Sequence, residues 1–326
     1  MSAQGSTAGT APSTAAGRRR LPESASLIGV LALELVAFSV MSPYFLTWSN
    51  LVDILTAVSI VGVLACAGTL LMVAGQFDLS VGSGMGFTAL MLAMTAPSIG
   101  IGPAVLLAVA VGLLIGAING FIVTVLRVNA LITTLGMLTL LRGLHLVIGH
   151  NLEYPIPEFD WAVVRPVLDV PVAVGVFIVV AILFVVLMQR TFYGRRMYAI
   201  GANAVAARLV GIRVNPAVFT AFVLSGASMA LAGIIAASQL GSVSGSTGTG
   251  LEFTVVTAII LGGTSLTGGI GTVSGTLIGL LIVGVLQNGL NLLNLDSSWQ
   301  QVATGALLIL AVAFDRLRRS GNGGAQ

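Results

Sequence analysis

Apolar stretches of about 20 residues, separated by short polar connections, run along most of this 326-residue chain. Charged residues make up 8% of the sequence and its mean hydropathy is +1.05, whereas soluble domains contain about 25% charged residues. Because each spanning helix needs roughly 20 apolar residues, the chain has room for about ten such helices and for no sizeable soluble domain. The sequence therefore predicts an all-α integral membrane protein, a bundle of about ten transmembrane helices of which some are short or broken.

Hydropathy and turn residues place these helices along the chain. The first follows residue 26, and nine more are predicted near 51–74, 80–96, 101–126, 130–149, 169–189, 216–239, 252–264, 272–293 and 299–315. The segments at 80–96 and 252–264 are short and flanked by glycine, which indicates either unwound backbone beside a water-filled cavity or a tilted or re-entrant helix. Residues 1–26 are predicted to be a disordered cytoplasmic tail, 27–316 the membrane domain, and 317–326 a cytoplasmic C-terminal tail.

The placement of arginine predicts how the bundle is oriented. With a cytoplasmic N-terminus, the inside loops and ends hold twelve of the 14 arginines, namely Arg18, Arg19, Arg20, Arg127, Arg190, Arg195, Arg196, Arg208, Arg213, Arg316, Arg318 and Arg319. The longest outside loop, near 150–168, carries Glu153, Glu158 and Asp160 against Arg165. Since cytoplasmic loops of membrane proteins carry an excess of basic residues, both termini are predicted to be cytoplasmic.

Several kinds of chemistry are missing from the sequence. All 14 basic residues are arginine, so no GxxxxGK[ST] phosphate loop is present, and ATP-driven work would need a partner to bind ATP and Mg²⁺. A single Cys66 forms no intrachain disulfide or cysteine metal cluster, and His145 and His150 lack the spacing of a HExxH pair. The scattered arginines form no continuous patch for nucleic acid. We therefore expect no catalytic site, metal or cofactor in this chain, and no nucleic-acid partner.

The predicted loop 190–215 contains a short helix with signals at both ends. Asn203 is a good N-cap, residues Ala204 to Val210 favour helix, and Gly211 suits the left-handed conformation that ends one. Such a rigid two-turn helix could transmit motion. The alternative is an ordinary interfacial loop that Arg195 and Arg196 hold against lipid phosphates.

Glycine recurs at every fourth residue in two predicted helices. The two sets are Gly112, Gly116 and Gly120, and Gly271, Gly275 and Gly279. Small residues at this spacing create smooth faces on which another helix backbone can approach closely. Packing within the chain is the main interpretation, and a seam between two copies is the alternative.

Few polar side chains are predicted at membrane depth. Arg142 lies inside the fifth helix, where a charge costs about 2.5 to 3.5 kcal/mol, so it should face a partner or an aqueous cavity unless it snorkels to the outer interface. Asp78 and Glu252 flank the two short segments, and capping of a helix N-terminus is their favoured role over lining a cavity. Neutral groups that suit a hydroxyl-rich solute are Asn119, Thr133, Thr134, Gln287, Asn288 and Asn291.

Several motifs together resemble one family. They are Gly75-Gln-Phe-Asp-Leu-Ser-Val-Gly-Ser, Gly116-Ala-Ile-Asn-Gly, Ile132-Thr-Thr-Leu-Gly with Leu141-Arg-Gly, Gly194-Arg-Arg-Met-Tyr-Ala-Ile-Gly-Ala-Asn, Ala206-Ala-Arg-Leu-Val-Gly-Ile, Leu261-Gly-Gly-Thr-Ser-Leu-Thr-Gly-Gly-Ile-Gly and Gly275-Thr-Leu-Ile-Gly. Over roughly residues 45–316 the chain is similar to the ribose-type sugar permeases, the transmembrane subunits of bacterial ATP-binding-cassette importers. It departs from them at Leu251-Glu252-Phe253, where Glu-Leu-Asp is expected.

The resemblance implies a permease of the bacterial inner membrane. Its expected partners are two ATPase subunits or one fused double ATPase, an extracytoplasmic sugar-binding protein, membrane lipid, and a second permease copy or a related permease. By analogy, the segment that couples to the ATPase comprises Asn203, Ala206, Ala207, Arg208 and Gly211. The predicted pathway residues are Asp78, Asn119, Thr133, Thr134, Arg142, Glu252, Asn288 and Asn291.

Two other functions remain open at this point. A branched-chain amino acid permease would need paired ionic groups for the charged ends of its substrate. An ion-coupled secondary transporter would need intramembrane acids, for which Glu34 and Asp53 are the available residues. A weak internal repeat, in which the glycine-rich turns at 75–84 and 263–271 are each followed by an Asn-Gly pair, suits two related halves around a central pathway.

Overall fold

The computed structural model describes residues 23–156 and 159–320. Most of each predicted tail, including residues 1–22 and 321–326, lies outside this part of the chain. Within it the chain forms twelve helices and one two-stranded ribbon, in the order α1 Glu23–Met41, α2 Trp48–Val73, α3 Val81–Ile99, α4 Ile101–Thr124, α5 Ala130–Ile148, β1 Tyr154–Pro155, α6 Val172–Arg190, α7 Phe192–Ala202, α8 Ala204–Leu209, α9 Val214–Leu240, β2 Ser242–Val243, α10 Leu251–Leu261, α11 Val273–Leu292 and α12 Ser297–Ser320.

The helix boundaries agree closely with the predicted segments. In the described residues, six helices are long and apolar enough to cross a membrane, namely α2, α4, α5, α6, α9 and α11, which confirms an all-α membrane protein. The segment predicted as short at 252–264 is indeed an 11-residue helix, α10. The other segment, α3, is a continuous 19-residue helix, and the non-helical backbone lies before it, at residues 76–80. Pro97 lies in its last turn, where it removes one backbone donor, and the helix ends two residues later at Ile99.

Helices α2 and α9 form the centre of the bundle. Their buried side chains include Leu64, Leu70, Phe222 and Met229, which belong to one large apolar core. Helices α4, α5 and α6 bury a much smaller part of their surface, as expected for helices that face lipid.

Both glycine-rich faces are used for packing inside the chain. On α4, a Cβ added at Gly112 or Gly116 would collide with the backbone of α9 around Gly226. On α11, a Cβ at Gly275 or Gly279 would collide with the backbone at the end of α10. Packing within the chain, the main interpretation of these faces, is therefore confirmed, because the close backbone approach requires residues without a side chain.

The connections between helices gather at two ends of the bundle. At one end, the β1–β2 ribbon pairs Tyr154 with Val243, and the Trp48 indole donates to the Leu168 carbonyl at 3.0 Å. At the other end, the Gly269 amide donates to the Val73 carbonyl at 2.8 Å, beside α7 and α8. We call these the ribbon end and the α8 end.

Candidate functional site

Two short helices follow α6 at the α8 end. The Thr191 hydroxyl caps α7 by accepting from the Gly194 amide at 3.2 Å. The Asn203 side chain caps α8 by accepting from the amides of Val205 and Ala206, both at 3.0 Å. Gly211 has φ +85°, a conformation that glycine adopts without strain. The predicted capped helix is therefore present, and it ends at Leu209, one residue earlier than expected.

Helix α7 is tied to the bundle by two tyrosines. The Tyr193 hydroxyl donates to the carbonyl of Ala217 on α9 at 2.8 Å. The Tyr198 hydroxyl donates to the carbonyl of Gly271 at 2.7 Å. Burial raises the pKa of Tyr193 and of Tyr198, so both hydroxyls keep their protons and remain donors at neutral pH.

The end of α7 also contacts the bundle backbone to backbone. A Cβ added at Gly201 would collide with the Val73 carbonyl oxygen, and a Cβ at Gly268 would lie 2.8 Å from the Gly75 amide nitrogen. Gly75 and Gly268 have φ +72° and +85°. The two turns of the predicted internal repeat thus meet each other at the end of α7, and no side chain separates them.

The exposed surface of α8 differs from the predicted one. Ala206 and Arg208 are exposed, but Ala207 is only 4% exposed and belongs to the core, so Ala206 and Ala207 do not form one outward face. The helical period of 3.6 residues turns these neighbours in different directions. Sequence reasoning missed Val205, Leu209 and Val210, which are 67%, 83% and 77% exposed. Three large apolar side chains on a capped loop helix are a signal that could have identified them.

A basic groove lies beside α8. It has a volume of about 920 Å³, and its lining includes Arg127, Arg208 and Arg213. All three arginines are exposed, and no acidic side chain in the described ranges forms a salt bridge with them. The groove therefore presents positive charge next to the apolar surface of α8.

Asp78 is the centre of a buried hydrogen-bond network. Its carboxylate accepts from the Ser80 amide at 3.0 Å and hydroxyl at 2.6 Å, and from the Ser225 hydroxyl at 2.7 Å. The Asn119 amide extends the network by donating to the Ser80 hydroxyl at 3.0 Å. The predicted capping role of Asp78 is wrong, because Ser80 occupies the N-cap of α3. Asp78 and Asn119 instead join the α2–α3 turn to α4 and α9.

Arg142 and Glu252 form an ion pair between α5 and α10. The Arg142 Nη2 atom lies 3.2 Å from Glu252 Oε1, and the two side chains are 33% and 1% exposed. Arg142 thus faces a partner, which is one of the alternatives predicted for it. The capping role of Glu252 is wrong, since the N-cap of α10 is Gly250 and the carboxylate is directed at Arg142. The second carboxylate oxygen, Oε2, is buried and makes no hydrogen bond in the described part of the chain.

Thr133 and Thr134 are buried and bond within their own helix. Their hydroxyls donate to the carbonyls of Asn129 and Ala130 at 3.0 and 2.9 Å. These bonds satisfy both hydroxyl protons, and each hydroxyl oxygen can still accept a hydrogen bond.

A cavity of about 430 Å³ opens at the ribbon end between α2, α10, α11 and α12. It contains two of the predicted pathway residues, Asn288 and Asn291, together with Gln287, which the sequence also indicated. The Asn288 and Asn50 amides bond to each other reciprocally at 2.8 and 3.0 Å. Sequence reasoning missed Ala57, Thr254 and Gln300 in this lining, because they lie on three other helices.

Comparison with known proteins decides the family. A family profile described as "Branched-chain amino acid transport system / permease component" matches residues 50–312. The ribose import permease protein RbsC of Escherichia coli K12 is 39% identical over 321 residues, covering 94% of this chain and 99% of that protein. The L-arabinose transport system permease protein AraH of the same strain is 35% identical over 325 residues, covering 98% of each. No solved structure matches the chain significantly.

The chain belongs to the permease family whose profile matches residues 50–312. The resemblance to the ribose-type sugar permeases is therefore confirmed, and the permease is a multi-pass transport subunit of the plasma membrane. A further relative, the probable ABC transporter permease protein YphD of E. coli K12, is 37% identical over 290 residues, covering 88% of the permease and 87% of that protein.

Proposed function

We propose that the permease forms the transmembrane pathway for a monosaccharide or sugar-like solute in an ATP-binding-cassette importer. Its relatives RbsC and AraH are named for ribose and L-arabinose, and YphD for an ABC transporter. The cavity at the ribbon end supports a neutral solute, because its lining includes four side-chain amides and the single charged residue Asp53. The chain itself catalyses no covalent step. A partner ATPase binds and hydrolyses ATP with its Mg²⁺.

The structure of the α8 end supports this proposal most strongly. Helix α8 is capped at its start by Asn203, and Val205, Leu209 and the following Val210 are exposed beside three arginines that form no salt bridge within the described residues. Exposed apolar patches rimmed by charge mark protein–protein contacts. Because α7 is fixed to α9 and to the 262–272 loop, a partner that moves α8 also moves the bundle. We infer that Asn203, Ala206, Arg208 and Gly211 belong to this docking segment and that Ala207 anchors it from inside.

Ten helices then cross the membrane, namely α1, α2, α3, α4, α5, α6, α9, α10, α11 and α12. Because successive helices cross in opposite directions, the connections between them alternate between the two ends. The α8 end holds the connections 74–80, 125–129, 191–213 and 262–272. The ribbon end holds the connections 42–47, 149–171, 241–250 and 293–296. The contact of Gly269 with Val73, and of Trp48 with Leu168, supports this assignment. Because the α8 end holds Arg127, Arg195, Arg196, Arg208 and Arg213, we infer that it is cytoplasmic, as are both termini.

The partners follow from this arrangement. Two ATPase subunits, or one fused double ATPase, dock at the α8 end, and an extracytoplasmic binding protein delivers the solute at the ribbon end. A second copy of the permease completes the membrane unit, since closed homodimers are the commonest oligomers. Lipid surrounds the exposed faces of α4, α5 and α6.

Affinity purification of the natively expressed permease in mild detergent, with mass spectrometry of the bound proteins, tests the docking segment. A near-stoichiometric ATPase is expected with the wild type and with Leu152→Asp, a control at an exposed leucine of the ribbon end. Leu209→Asp should reduce the bound ATPase at least about tenfold, because a buried unpaired carboxylate costs several kcal/mol. If Leu209→Asp recovers as much ATPase as the wild type, the assignment of the docking segment is refuted. If no ATPase co-purifies with any form of the permease, its assignment to an importer is refuted.

A further inference from the structure

The connection between β2 and α10 reaches deep into the bundle. We call its residues 244–250 the strap. A Cβ added at Gly82 would lie 2.6 Å from the Gly248 carbonyl oxygen, and a Cβ at Gly86 would collide with the Thr247 carbonyl oxygen. Both glycines belong to the first two turns of α3, so the strap fills a slot that residues without a side chain leave open. Because α3 crosses the membrane in the proposed arrangement, the strap lies at membrane depth, where non-helical backbone needs protein or water around it.

The strap is hydrogen-bonded mainly to itself. The Ser244 amide donates to the Thr247 hydroxyl at 3.0 Å, and the Thr247 amide donates to the Ser244 carbonyl at 3.0 Å. The Thr249 amide donates to the Ser246 carbonyl, also at 3.0 Å. Within the described residues no hydrogen bond joins the strap to α3, and the two touch through their backbones at the glycine slot. The strap can therefore leave the slot as a unit without giving up a backbone hydrogen bond to α3.

Two side-chain links hold the strap beside α5. The His145 ring bonds to the Ser244 backbone, and the Arg142–Glu252 ion pair joins α5 to the start of α10, where the strap ends. Helix α5 packs on α3 and α4, whereas α10 packs mainly on α2, α11 and α12, so the ion pair spans a seam between two groups of helices. Since Arg142 is one-third exposed, water can hydrate its charge when the pair separates.

The seated strap leaves two buried polar atoms without a hydrogen bond. They are Glu252 Oε2 and His145 Nε2, and neither has a partner among the described residues. A buried polar atom that lacks a hydrogen bond destabilises the conformation in which it occurs. Movement of the strap would give both atoms access to water, so the seated conformation carries a cost at each of its two links.

We propose that the strap is a gate element that leaves the glycine slot during each transport cycle, and that the Arg142–Glu252 pair is its latch. The inference rests on the proposed function, because it assigns the strap a step in solute transport. Ser246 and Thr249 on the strap are exposed, and polar groups at this depth face water or protein and not lipid. Because the strap continues from the ribbon end, its release opens the seam between α5 and α10 to the outside.

A disulfide between the strap and α5 tests whether transport needs this movement. A Cβ at Gly245 would lie 2.8 Å from the Leu146 Cδ2 atom, so cysteines at both positions come within reach of a disulfide. Leu146 is exposed and the natural Cys66 is fully buried, so oxidation should join the new pair alone. In the complex with ATPase and binding protein, oxidised Gly245→Cys/Leu146→Cys should take up D-ribose at least about tenfold more slowly than its reduced form, because the gate stays closed.

The reduced form of the same double variant is the matched control, and Leu146→Cys alone should not slow on oxidation. Full uptake by the cross-linked permease, or failure of the two cysteines to cross-link, would overturn the proposal. Absence of D-ribose uptake by the wild-type complex would instead refute the proposed function.

Thiol accessibility in intact cells tests the movement without a known solute. Met85 is 2% exposed, and its Cε atom would lie 3.1 Å from a Cβ at Gly248, so the strap covers it. Ala89, one turn later, is fully buried against α9. A membrane-impermeant maleimide added outside should label Met85→Cys at least about tenfold faster than Ala89→Cys, because release of the strap brings the first thiol into water. Equal labelling of the two variants would contradict the movement of the strap.

Removal of the latch charge sharpens the same assay. Arg142→Gln should speed the labelling of Met85→Cys, since the strap is then held less firmly. Arg165→Gln, at the half-exposed pair with Asp53, should leave the rate unchanged. If both changes have the same effect on labelling, the Arg142–Glu252 pair is not the latch.

Discussion

The α8 end and the ribbon end of the bundle are held together by different kinds of contact. At the α8 end, Gly75, Gly201 and Gly268 bring three backbone segments into contact, and the hydroxyls of Tyr193 and Tyr198 hold α7 in place. At the ribbon end, four helices separate around an amide-lined cavity of about 430 Å³. Densely packed backbones transmit displacement, whereas a cavity lets helices move relative to one another.

This difference indicates where motion starts and where it is used. A push on α8 reaches α2, α9 and the 262–272 loop through α7, which contacts them by close backbone packing and by the two tyrosine hydroxyl bonds. The helices around the cavity are held by a few side-chain bonds, among them the reciprocal Asn50–Asn288 pair. We therefore expect the rigid end to drive changes in the shape of the loose end, and the following four substitutions test this contrast.

The largest effect is expected at the Arg142–Glu252 pair, which joins α5 to α10 near the ribbon end. Arg142→Leu leaves a carboxylate that is 1% exposed without its partner, a change that costs about 3 to 5 kcal/mol. The midpoint of thermal unfolding in mild detergent should fall clearly, and Arg142→Leu/Glu252→Leu should recover most of the loss.

The matched control for this pair is Arg165→Leu, because Arg165 and Asp53 are both about half exposed. Its cost should be below about 1 kcal/mol. If Arg142→Leu and Arg165→Leu unfold at the same midpoint, the pair does not hold α5 and α10 together.

The next effect is expected from Gly201→Ala at the α8 end. The new Cβ would collide with the Val73 carbonyl oxygen, which belongs to the backbone, so α7 must shift at a cost of about 1 to 3 kcal/mol. Solute transport per ATP hydrolysed should fall with it. Gly143→Ala is the control, since a Cβ there meets nothing within 4 Å, and equal behaviour of the two variants would show that the backbone contact is not needed.

A smaller effect is expected from Asn203→Ala. This change removes the acceptor for the amides of Val205 and Ala206, and loss of an N-cap costs about 1 kcal/mol. Helix α8 should fray, and less solute should move per ATP. Asn203→Ser, which keeps a cap, should behave like the wild type, and a Ser variant as poor as the Ala variant would contradict the capping role.

The smallest effect is expected from Asn291→Leu in the cavity. One hydrogen bond to the solute is lost, worth about 1 kcal/mol or roughly fivefold in uptake. The unfolding midpoint should not change, because Asn291 is an exposed side chain on the cavity wall. Asn291→Gln should retain most uptake. A lowered midpoint without a loss of uptake would show that Asn291 supports the fold and not the solute.

The sequence predicted the helices well because their signals are local. Apolar runs located the transmembrane segments, and Asn203 and Gly211 located α8 without any knowledge of its neighbours. The Gly112, Gly116 and Gly120 face could be recognised from its spacing, but its partner helix α9 could not.

The features that sequence analysis missed depend on contacts between distant residues. Arg142 and Glu252 are 110 residues apart, so the sequence does not assign either to the other and favours a capping role for Glu252. Ala207 differs from Ala206 only in the direction in which the helix turns it. The cavity combines side chains from four helices, and the spacing of Asn288 and Asn291 indicated just one wall of it.

Transport by purified components tests the central claim most directly. Proteoliposomes that contain the permease with its co-purified ATPase and binding protein are loaded with or without ATP on the ATPase side, and uptake of radiolabelled D-ribose is followed. The account predicts uptake that requires ATP, that persists when ion gradients are collapsed, and that is lost in Leu209→Asp. Uptake that follows an ion gradient and ignores ATP would contradict it, and would direct attention to Glu34 and Asp53 as ion-coupling residues.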